Sequence, residues 1–285
     1  MTQTPEANRD SAPRWFVGAW KREWMRLRGE LAGETLIVRD LQTPTIFGSC
    51  RIALDRPTFV GAHSFADLDD AQLAALLTQR GGFAGTASFV GEVAPVPPVS
   101  AVATWDHEID FQPRNSVDTA RLTQTSATTV LEESLDETFD ELWCSMSPHE
   151  GRCLGLKITR ANRLERMLIV VDDHFVYARN RTHDLPHAHS LTELVARTRA
   201  TRAQIIELLD CEFSYGLVRG GQVGWQVRHS TLPWREGRAL EFANEVATDD
   251  RGAPRARVAV DGEAWTVPIN TMTREDLVEM FRAPR

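Results

Sequence analysis

The chain has 285 residues, of which 42% are hydrophobic and 25% are charged, and its formal net charge at pH 7 is -8. This length is enough for one large domain or for two domains of common size. The 32 Lys and Arg residues are spread along the chain, which argues against a basic surface for nucleic acid. The longest apolar runs, such as "MLIVV", are far shorter than the roughly 20 residues of a membrane span. We therefore expect a cytoplasmic protein with neither nucleic acid nor a membrane as its partner.

The first 14 residues, "MTQTPEANRDSAPR", are polar and predict a flexible tail. Short segments rich in β-branched and aromatic residues follow, such as "TLIVRDLQTP", "TIFGSCRIAL" and "ATWDHEIDF". This pattern restarts after "SPHEGR" at residues 147–152. Strands at such short spacing favour closed antiparallel barrels over a parallel sheet. We expect a mainly β protein with two consecutive barrels, residues 15–149 and 150–285, and a two-sheet sandwich is the alternative.

Two segments have the pattern of helices inserted among the strands. Acidic residues begin "DLDDAQLAALLTQRGG", its leucines follow at helical spacing, and Gly81 stands where a helix would end. In "SLTELVARTRATRAQIIELLD", Ser190 is a candidate N-cap before two apolar stripes. Each half of the chain is thus predicted to contain one short helical insert.

Several strings together resemble a largely uncharacterised bacterial family of tandem lipocalin-like (calycin-type) proteins. They include "FVGAWKRE", "LQTPTIFGSCRIALDRPTFVG", "WDHEIDFQP", "DDHFVYARNR" and "GWQVRHSTLPWREG", and the resemblance extends over most of residues 15–238. It implies that both barrels are lipocalin-like. It supplies no catalytic motif.

The segment "AVATWDHEIDFQP" places a histidine on an apolar face. Because side chains alternate along a strand, Trp105, His107, Ile109 and Phe111 are predicted to share one face. In a small barrel the apolar face usually points inward, so we expect these four residues inside. The opposite face is predicted to be a solvated acidic row, formed by Asp106, Glu108 and Asp110.

A second strand, "TFDELWC", has the same construction, with Glu141 between Phe139 and Trp143 on one face. If both strands line one barrel, His107 and Glu141 share a poorly hydrated space in which they can relay a proton. The alternative interpretation is a buried hydrogen-bonded pair that closes the barrel.

Two further polar residues are candidates for the same interior. Arg51 alternates with Phe47 and Ser49, and it either faces inward to orient an anion or carbonyl, or faces solvent. Gln42, at a strand end before Pro44, is either a donor at the barrel mouth or part of a turn.

No cofactor or metal site is predicted. The four cysteines lack a C-x-x-C pair and are expected to be reduced thiols, and phosphate-binding loops and the serine-hydrolase elbow are missing. A proline-containing loop carries three closely spaced histidines, which we interpret as solvent-exposed, with a zinc, copper or nickel site as the alternative: His183, His187 and His189.

The sequence thus predicts a cofactor-independent acid–base enzyme of the lyase, hydratase, isomerase or cyclase type. Its substrate would be a small, mostly apolar organic molecule held in a barrel cavity. The predicted catalytic residues are His107, Glu141 and Arg51. The predicted substrate-binding residues are Trp105, Phe111, Phe139, Trp143 and Gln42. The alternatives are a non-catalytic lipocalin-like binding protein and an interaction module with filled barrels, and the oligomeric state is open, with a dimer among the options.

Overall fold

A computed structural model describes residues 11–91, 99–113, 117–147, 151–240, 257–260 and 263–281. These residues form two antiparallel sheets, one in each half of the chain. The first sheet contains β1 (Gly18–Leu27), β2 (Glu30–Ala32), β3 (Leu36–Gln42), β4 (Ile46–Ala53), β5 (Gly81–Gly91), β6 (Val99–Asp110), β7 (Asp118–Ser126), β8 (Thr129–Ser134) and β9 (Phe139–Ser145). The second contains β10 (Cys153–Arg160), β11 (Arg163–Val171), β12 (His174–Arg179), β13 (Glu212–Leu217), β14 (Gln226–Ser230), β15 (Arg257–Val260) and β16 (Glu263–Asn270).

The first sheet closes into a barrel. Its strand order is β2-β1-β3-β4-β5-β6-β7-β8-β9, and β1 also pairs with β9. That closing ladder runs from Trp20 opposite Ser145 to Leu27 opposite Phe139. Eight strands form the closed ring, while the short β2 pairs with the end of β1. The prediction of an antiparallel barrel in the first half is confirmed.

The second sheet is open within the described residues. Its order is β14-β13-β12-β11-β10-β16-β15, with β14 and β15 at the two edges. The described strands therefore form an open sheet, and the second closed barrel that the sequence predicts is not shown. Residues 241–256 and 261–262, which belong to the predicted second barrel, lie outside the described part of the chain.

The outside of the barrel packs against one face of the second sheet. The apolar run of β11 shows why, because it is buried on both faces. Met167 and Ile169 belong to a core shared with Ile46 of the barrel. Leu168 and Val170 alternate with them and belong to a second core on the far face of the sheet. A third core fills the barrel itself.

A β-bulge in β6 divides its side chains between two of these cores. Ala84 of β5 pairs with Ile109, and the next residue, Gly85, pairs with His107, so Glu108 is an extra residue. A Cβ atom on Gly85 would lie only 1.9 Å from the carbonyl oxygen of Asp106. Glycine at this position therefore allows the bulge, which reverses the facing of every later residue of β6.

Four helices complete the described fold: α1 (Asp70–Leu77), α2 (Leu191–Thr198), α3 (Arg202–Leu209) and α4 (Arg274–Phe281). The helical stretch predicted from Ser190 onward is two helices. Arg199 has a φ of 51° and ends α2, and the side chain of Thr201 caps α3. In the part of the chain that is described, no helix has the length and apolar character needed to cross a membrane.

The segment before β1 covers one end of the barrel. Ala12 is buried and its N–H donates to the carbonyl oxygen of Pro44 at 2.7 Å. Phe16 lies in the barrel core and stacks on Trp20 with ring centroids 5.5 Å apart. Of the flexible tail predicted over residues 1–14, residues 11–14 are described, and Ala12 among them is buried. Residues 1–10 of that prediction are outside the described part.

Candidate functional site

The interior of the barrel contains a small cavity with aromatic and charged walls. Its volume is about 20 Å³, counted as space open to the centre of a water molecule, which is room for one or two waters. The walls are Phe16, Trp20, Asp40, Arg51, Phe83, Trp105, Asp118, Glu132 and Trp143. The arrangement combines an apolar enclosure with several groups that can carry or orient a proton.

Three indole rings are fixed around this cavity by their N–H groups. Trp20 donates to the backbone oxygen of Phe16 at 2.9 Å, and Trp105 donates to Oε1 of Gln42 at 3.3 Å. Trp143 donates to Oε2 of Glu132 at 2.8 Å. Each buried donor therefore has an acceptor, and the rings serve as apolar walls.

Asp40 is the cavity residue best suited to exchange a proton near neutral pH. Surrounding protein buries its carboxyl group, and this burial raises its pKa to about 7. The negative charges of Asp118 and Glu141 act in the same direction, while Arg51 and a hydrogen bond from Ser49 oppose them. At pH 7 the group is therefore shared between its charged and neutral forms.

Glu132 is a second carboxyl group whose protonated form is favoured. Burial raises its pKa well above the ordinary value, and repulsion by Glu141 and Asp118 adds to the effect. Glu132 stands directly opposite Glu141 on β9. Two carboxylates at such a position disfavour a second negative charge, which favours the protonated form of Glu132.

Arg51 supplies the positive charge of the cavity. Its Nε donates to the hydroxyl of Ser49 at 3.1 Å, and its guanidinium lies 4.4 Å from the ring centroid of Phe83. Stacking on an aromatic face holds this cation without neutralising its charge. Arg51 can therefore orient or polarise a carbonyl or carboxylate placed beside Asp40.

His107 faces the interior and is held by two carboxylates. Its Nδ1 lies 2.7 Å from Asp110 and its Nε2 lies 3.1 Å from Asp118. Burial alone would lower the pKa of His107, but these two hydrogen bonds outweigh burial and the pKa is raised. The ring also stacks on Phe83 with a centroid separation of 4.2 Å. Both ring nitrogens are thus engaged within the protein.

Glu141 has a different partner from the one that the sequence suggested. Its Oε1 accepts from Arg22 at 2.6 Å, and the same guanidinium donates to both carboxylate oxygens of Glu34 at 2.9 Å. The structure thus gives Glu141 and His107 separate partners, where the sequence analysis considered a hydrogen bond between the two. Arg22 on the adjacent strand β1 satisfies Glu141, and aspartates satisfy His107.

The other predicted residues fall into three places. Arg51, Trp105 and Trp143 line the cavity. Gln42 is fully buried behind it, where it accepts from Trp105 and donates to the carbonyl oxygen of Thr43 at 2.7 Å. Phe139 is half-buried opposite Leu27, outside the set of cavity walls.

Phe111 and Asp110 exchange the faces that were predicted for them. Phe111 belongs to the core between the barrel and the second sheet, and its backbone oxygen accepts from Arg181 at 2.6 Å. Asp110 pairs with Phe83 and reaches His107 inside the barrel. The bulge at Glu108 causes both corrections, since a shift by one residue reverses the facing of a strand.

Sequence reasoning missed Asp40, Glu132 and Asp118. The sequence contains a signal for Asp40, because Asp40 alternates with Val38 and Gln42 in "TLIVRDLQ", and Gln42 is one of the predicted substrate-binding residues. Glu132 likewise alternates with Val130 in "TTVLEES". Both lie on faces that carry buried apolar residues, and a carboxyl group on such a face is a candidate for a raised pKa.

Thiols and metal ligands form no site in the described part of the chain. Cys50, Cys144, Cys153 and Cys211 are all free. Among the described residues, no group of three or more His, Cys, Asp or Glu side chains is placed to hold a metal ion.

Comparisons with known proteins support the architecture alone. No family model matches the chain, and no curated protein matches its sequence. The crystal structure of an uncharacterised protein from Saccharomyces cerevisiae, YLR301w, is similar with a TM-score of 0.53. The match covers 89% of this chain and 98% of the yeast chain at 12% sequence identity. At this identity, the similarity shows a shared fold.

Proposed function

We propose that the barrel performs acid–base chemistry on a small organic molecule, with Asp40 as the group that exchanges the proton. The reaction class is elimination, hydration, isomerisation or cyclisation, in each of which an acid or base of the protein gives a proton to, or takes one from, the reacting molecules. The observation that carries the proposal is a carboxyl group with a pKa of about 7 in an aromatic cavity. A catalytic acid or base works best when its pKa lies near the operating pH.

The neighbours of Asp40 have complementary roles in this proposal. Arg51 stabilises negative charge that develops on the substrate when a proton is removed. Glu132, in its protonated form, can donate a hydrogen bond or a second proton. His107 and Glu141 then act through other residues, because the first is held by aspartates and the second by Arg22. In this proposal Asp40 replaces His107 as the proton carrier, and the reaction class stays the one predicted from the sequence.

The small volume of the cavity limits what can bind there. About 20 Å³ accommodates water, so a substrate must displace that water and move an aromatic wall, or insert only a small reacting group. Trp20 and Phe16 are the walls contributed by the start of the described chain. They are the first candidates for such a movement, since one end of the barrel is covered by the segment that carries Phe16.

Proton abstraction can be tested before a natural substrate is known. A panel of small ketones and enones is incubated with the protein in D₂O, and NMR measures deuterium incorporated next to the carbonyl group. We expect the native protein to catalyse exchange in at least one member of the panel. Asp40→Asn should lower that rate by about 100-fold or more, the usual scale for removal of a general base.

The matched control is Asp55→Asn, which removes an exposed carboxylate and should leave the rate unchanged. Full activity of Asp40→Asn would contradict the assignment. A ¹³C-carboxyl NMR titration supplies an independent check, because Asp40 should titrate near pH 7 in the absence of any ligand.

The second candidate function is an interaction module with a filled barrel. The cavity volume of about 20 Å³ favours it, because small-molecule sites usually have about 300 Å³ or more. This candidate predicts that no member of the panel shifts the melting temperature or quenches the barrel tryptophans. It also predicts that Asp40→Asn changes stability without changing any exchange rate.

A further inference from the structure

The ring of Phe16 fills a space inside the barrel, although Phe16 itself precedes the first barrel strand. It is 4% exposed and belongs to the barrel core. Its ring stacks on Trp20 of β1 with centroids 5.5 Å apart and an angle of 25° between the ring planes. It also meets Phe89 of β5 edge-on, at a centroid distance of 6.1 Å. The barrel therefore contains a place that fits a flat six-membered ring.

We propose that a substrate ring takes this place, and that the substrate of the barrel is an aryl ketone. The substrate ring replaces that of Phe16 beside Trp20 and Phe89, and the attached carbonyl group lies beside Arg51. The inference rests on the proposed acid–base function, for which it names the substrate class. The observation that carries it is that Phe16 lines the same small cavity as Asp40 and Arg51.

The size of the cavity is the first argument. Its volume of about 20 Å³ holds water, whereas an apolar cavity that binds benzene has roughly 150 Å³. An aromatic substrate therefore needs the room that a side chain now occupies. Every other described wall of the cavity belongs to a barrel strand, from Trp20 of β1 to Trp143 of β9. When Phe16 leaves and a substrate ring enters, one phenyl ring replaces another, so the buried apolar surface stays nearly equal.

The attachment of the segment before β1 is the second argument. Strand β1 pairs with β3 from Gly18 onward and with β9 from Trp20 onward, so the closed ring of strands does not include residues 11–17. The N–H group of Phe16 donates to the backbone oxygen of Pro13 at 2.8 Å, and this bond lies within the segment and moves with it. The ring of Phe16 can therefore leave the barrel without breaking the hydrogen bonds between its strands.

Displacement of Phe16 has a cost that lowers the affinity of the native protein. It breaks the hydrogen bond of 2.9 Å from the indole N–H of Trp20 to the backbone oxygen of Phe16. A wider movement of the segment also breaks the bond of 2.7 Å from Ala12 to Pro44. The apparent affinity of a substrate falls by the fraction of molecules in which the place is open. The native protein should therefore bind an aryl ketone weakly, and a chain without the Phe16 ring should bind it tightly.

The polar walls of the cavity select the ketone. The guanidinium of Arg51 lies 4.4 Å from the ring centroid of Phe83 and can donate to a carbonyl oxygen. Asp40, with a pKa of about 7, can take a proton from the carbon next to that carbonyl. In this step the electron pair of the C–H bond becomes the C=C bond of an enolate. The π electron pair of the carbonyl moves to the oxygen beside Arg51, and the carboxylate of Asp40 receives the proton.

The first test follows the ring in a chain that keeps it. 4-Fluorophenylalanine is introduced at position 16, and ¹⁹F NMR records its signal while acetophenone is added at pH 7.5. We expect the signal to move saturably toward its position in the unfolded chain, with a Kd in the millimolar range. The same label at position 65 is the control, because Phe65 packs on Trp234 outside the barrel and its signal should stay in place.

The second test removes the competing ring. Phe16→Ala should lower the Kd of acetophenone about tenfold or more, measured by isothermal titration calorimetry. Phe65→Ala is the matched control, since it removes a phenyl ring from outside the barrel core and should leave the Kd unchanged. Melting curves verify that each variant is folded. If Phe16→Ala does not fold, the ¹⁹F measurement decides.

The third test varies the ligand. Cyclohexyl methyl ketone has the carbonyl group without a flat ring, and ethylbenzene has the ring without the carbonyl group. Both should bind Phe16→Ala about tenfold more weakly than acetophenone, because each lacks either the stacking on Trp20 or the hydrogen bond from Arg51.

Three outcomes would overturn the inference. They are an unchanged ¹⁹F signal at position 16 with acetophenone at tens of millimolar, equal Kd values for the native protein and Phe16→Ala, and equal affinity for acetophenone and cyclohexyl methyl ketone. The proposed function fails on a different measurement, full exchange activity of Asp40→Asn. Exchange in acetone that depends on Asp40, together with an unchanged ¹⁹F signal, would reject the aryl ketone and leave the acid–base function in place.

Discussion

Two groups of charged side chains lie inside the same barrel, and they are neutralised in different ways. In the first, Arg22 makes short ion pairs with Glu141 at 2.6 Å and Glu34 at 2.9 Å. In the second, Asp40 and Glu132 keep raised pKa values, while Arg51 donates to a serine and lies on an aromatic ring. Charge is balanced by direct contact in the first group and by proton uptake in the second.

This difference in neutralisation separates the buried charges that stabilise the fold from those that remain available for chemistry. A close pair resists removal of either partner, because the remaining charge would be buried alone. When a carboxyl group is kept neutral by its surroundings, replacing it by an amide costs the protein little stability. Removing a partner from the first group should therefore lower the free energy of unfolding, whereas replacing a carboxyl group of the second by an amide should leave it nearly unchanged or raise it.

The largest effect is expected for Arg22→Leu. This change leaves Glu141 buried without its partner, and it should lower the free energy of unfolding at pH 7 by about 3 to 5 kcal/mol, measured by urea denaturation. Lys21→Leu is the matched control, since the ion pair of Lys21 with Glu23 is largely exposed and should cost less than about 1 kcal/mol. If both variants lose the same free energy of unfolding, the buried ion pairs of Arg22 contribute no more to stability than the exposed pair of Lys21.

Asp40→Asn should stabilise the protein at alkaline pH. The pKa of Asp40 is about 7 in the folded state and about 4 when unfolded, so the folded state binds more protons between these values. The native protein therefore loses stability as pH rises from about 4 to 7, on the order of 3 kcal/mol from this group. Asp40→Asn should lack that loss and be more stable at pH 8, by denaturation at several pH values. A variant that is less stable at pH 8 would refute the raised pKa.

His107→Gln should have an intermediate effect that is largest at acid pH. The folded-state pKa of His107 is raised, so its charged form stabilises the fold fully below the unfolded value of about 6.5. That contribution disappears as pH rises through the folded-state pKa. We expect a loss of about 1 to 2 kcal/mol at pH 5.5 and a smaller difference at pH 9, from melting curves at both values. A loss that grows with pH would contradict this assignment.

The smallest effect is expected for Glu132→Gln. The raised pKa favours the protonated form of Glu132, so the neutral amide matches that form and keeps the acceptor for the indole N–H of Trp143. Unfolding free energy at pH 7 should change by less than about 1 kcal/mol, whereas Glu132→Leu should cost about 1 to 3 kcal/mol by leaving that donor unpaired. If the Gln variant loses as much as the Leu variant, Glu132 is charged in the folded protein.

The alternation of side chains predicted much of this barrel, including the inward positions of Trp105, His107 and Trp143. It failed beyond Glu108, because the bulge there depends on Gly85 of a neighbouring strand more than 20 residues away. A period-two pattern within β6 contains no information about its partner. The bulge therefore redirected Ile109 and Phe111 without any local signal.

The alternation of side chains also could not predict which charged residues pair inside the barrel. Which cation reaches Glu141 depends on the closing register of β1 on β9, where Arg22 stands opposite Trp143. The raised pKa of Asp40 depends, besides burial, on charges contributed by three other strands, through Arg51 of β4, Asp118 of β7 and Glu141 of β9. The spacing of residues predicts on which face of a strand a side chain lies, whereas its pKa depends on the charged residues of other strands.

The ring that closes between β1 and β9 also orders events during synthesis. Every barrel strand ends by Ser145, before the first strand of the second sheet begins at Cys153. A ribosome therefore synthesises every barrel strand before the first strand of the second sheet, so the barrel strands can pair first. Residues of β11 and β12 such as Ile169 and Val176 pack on the barrel, and a barrel that has already closed offers them a complete surface. The barrel in this way serves as a template on which the later half of the nascent chain assembles.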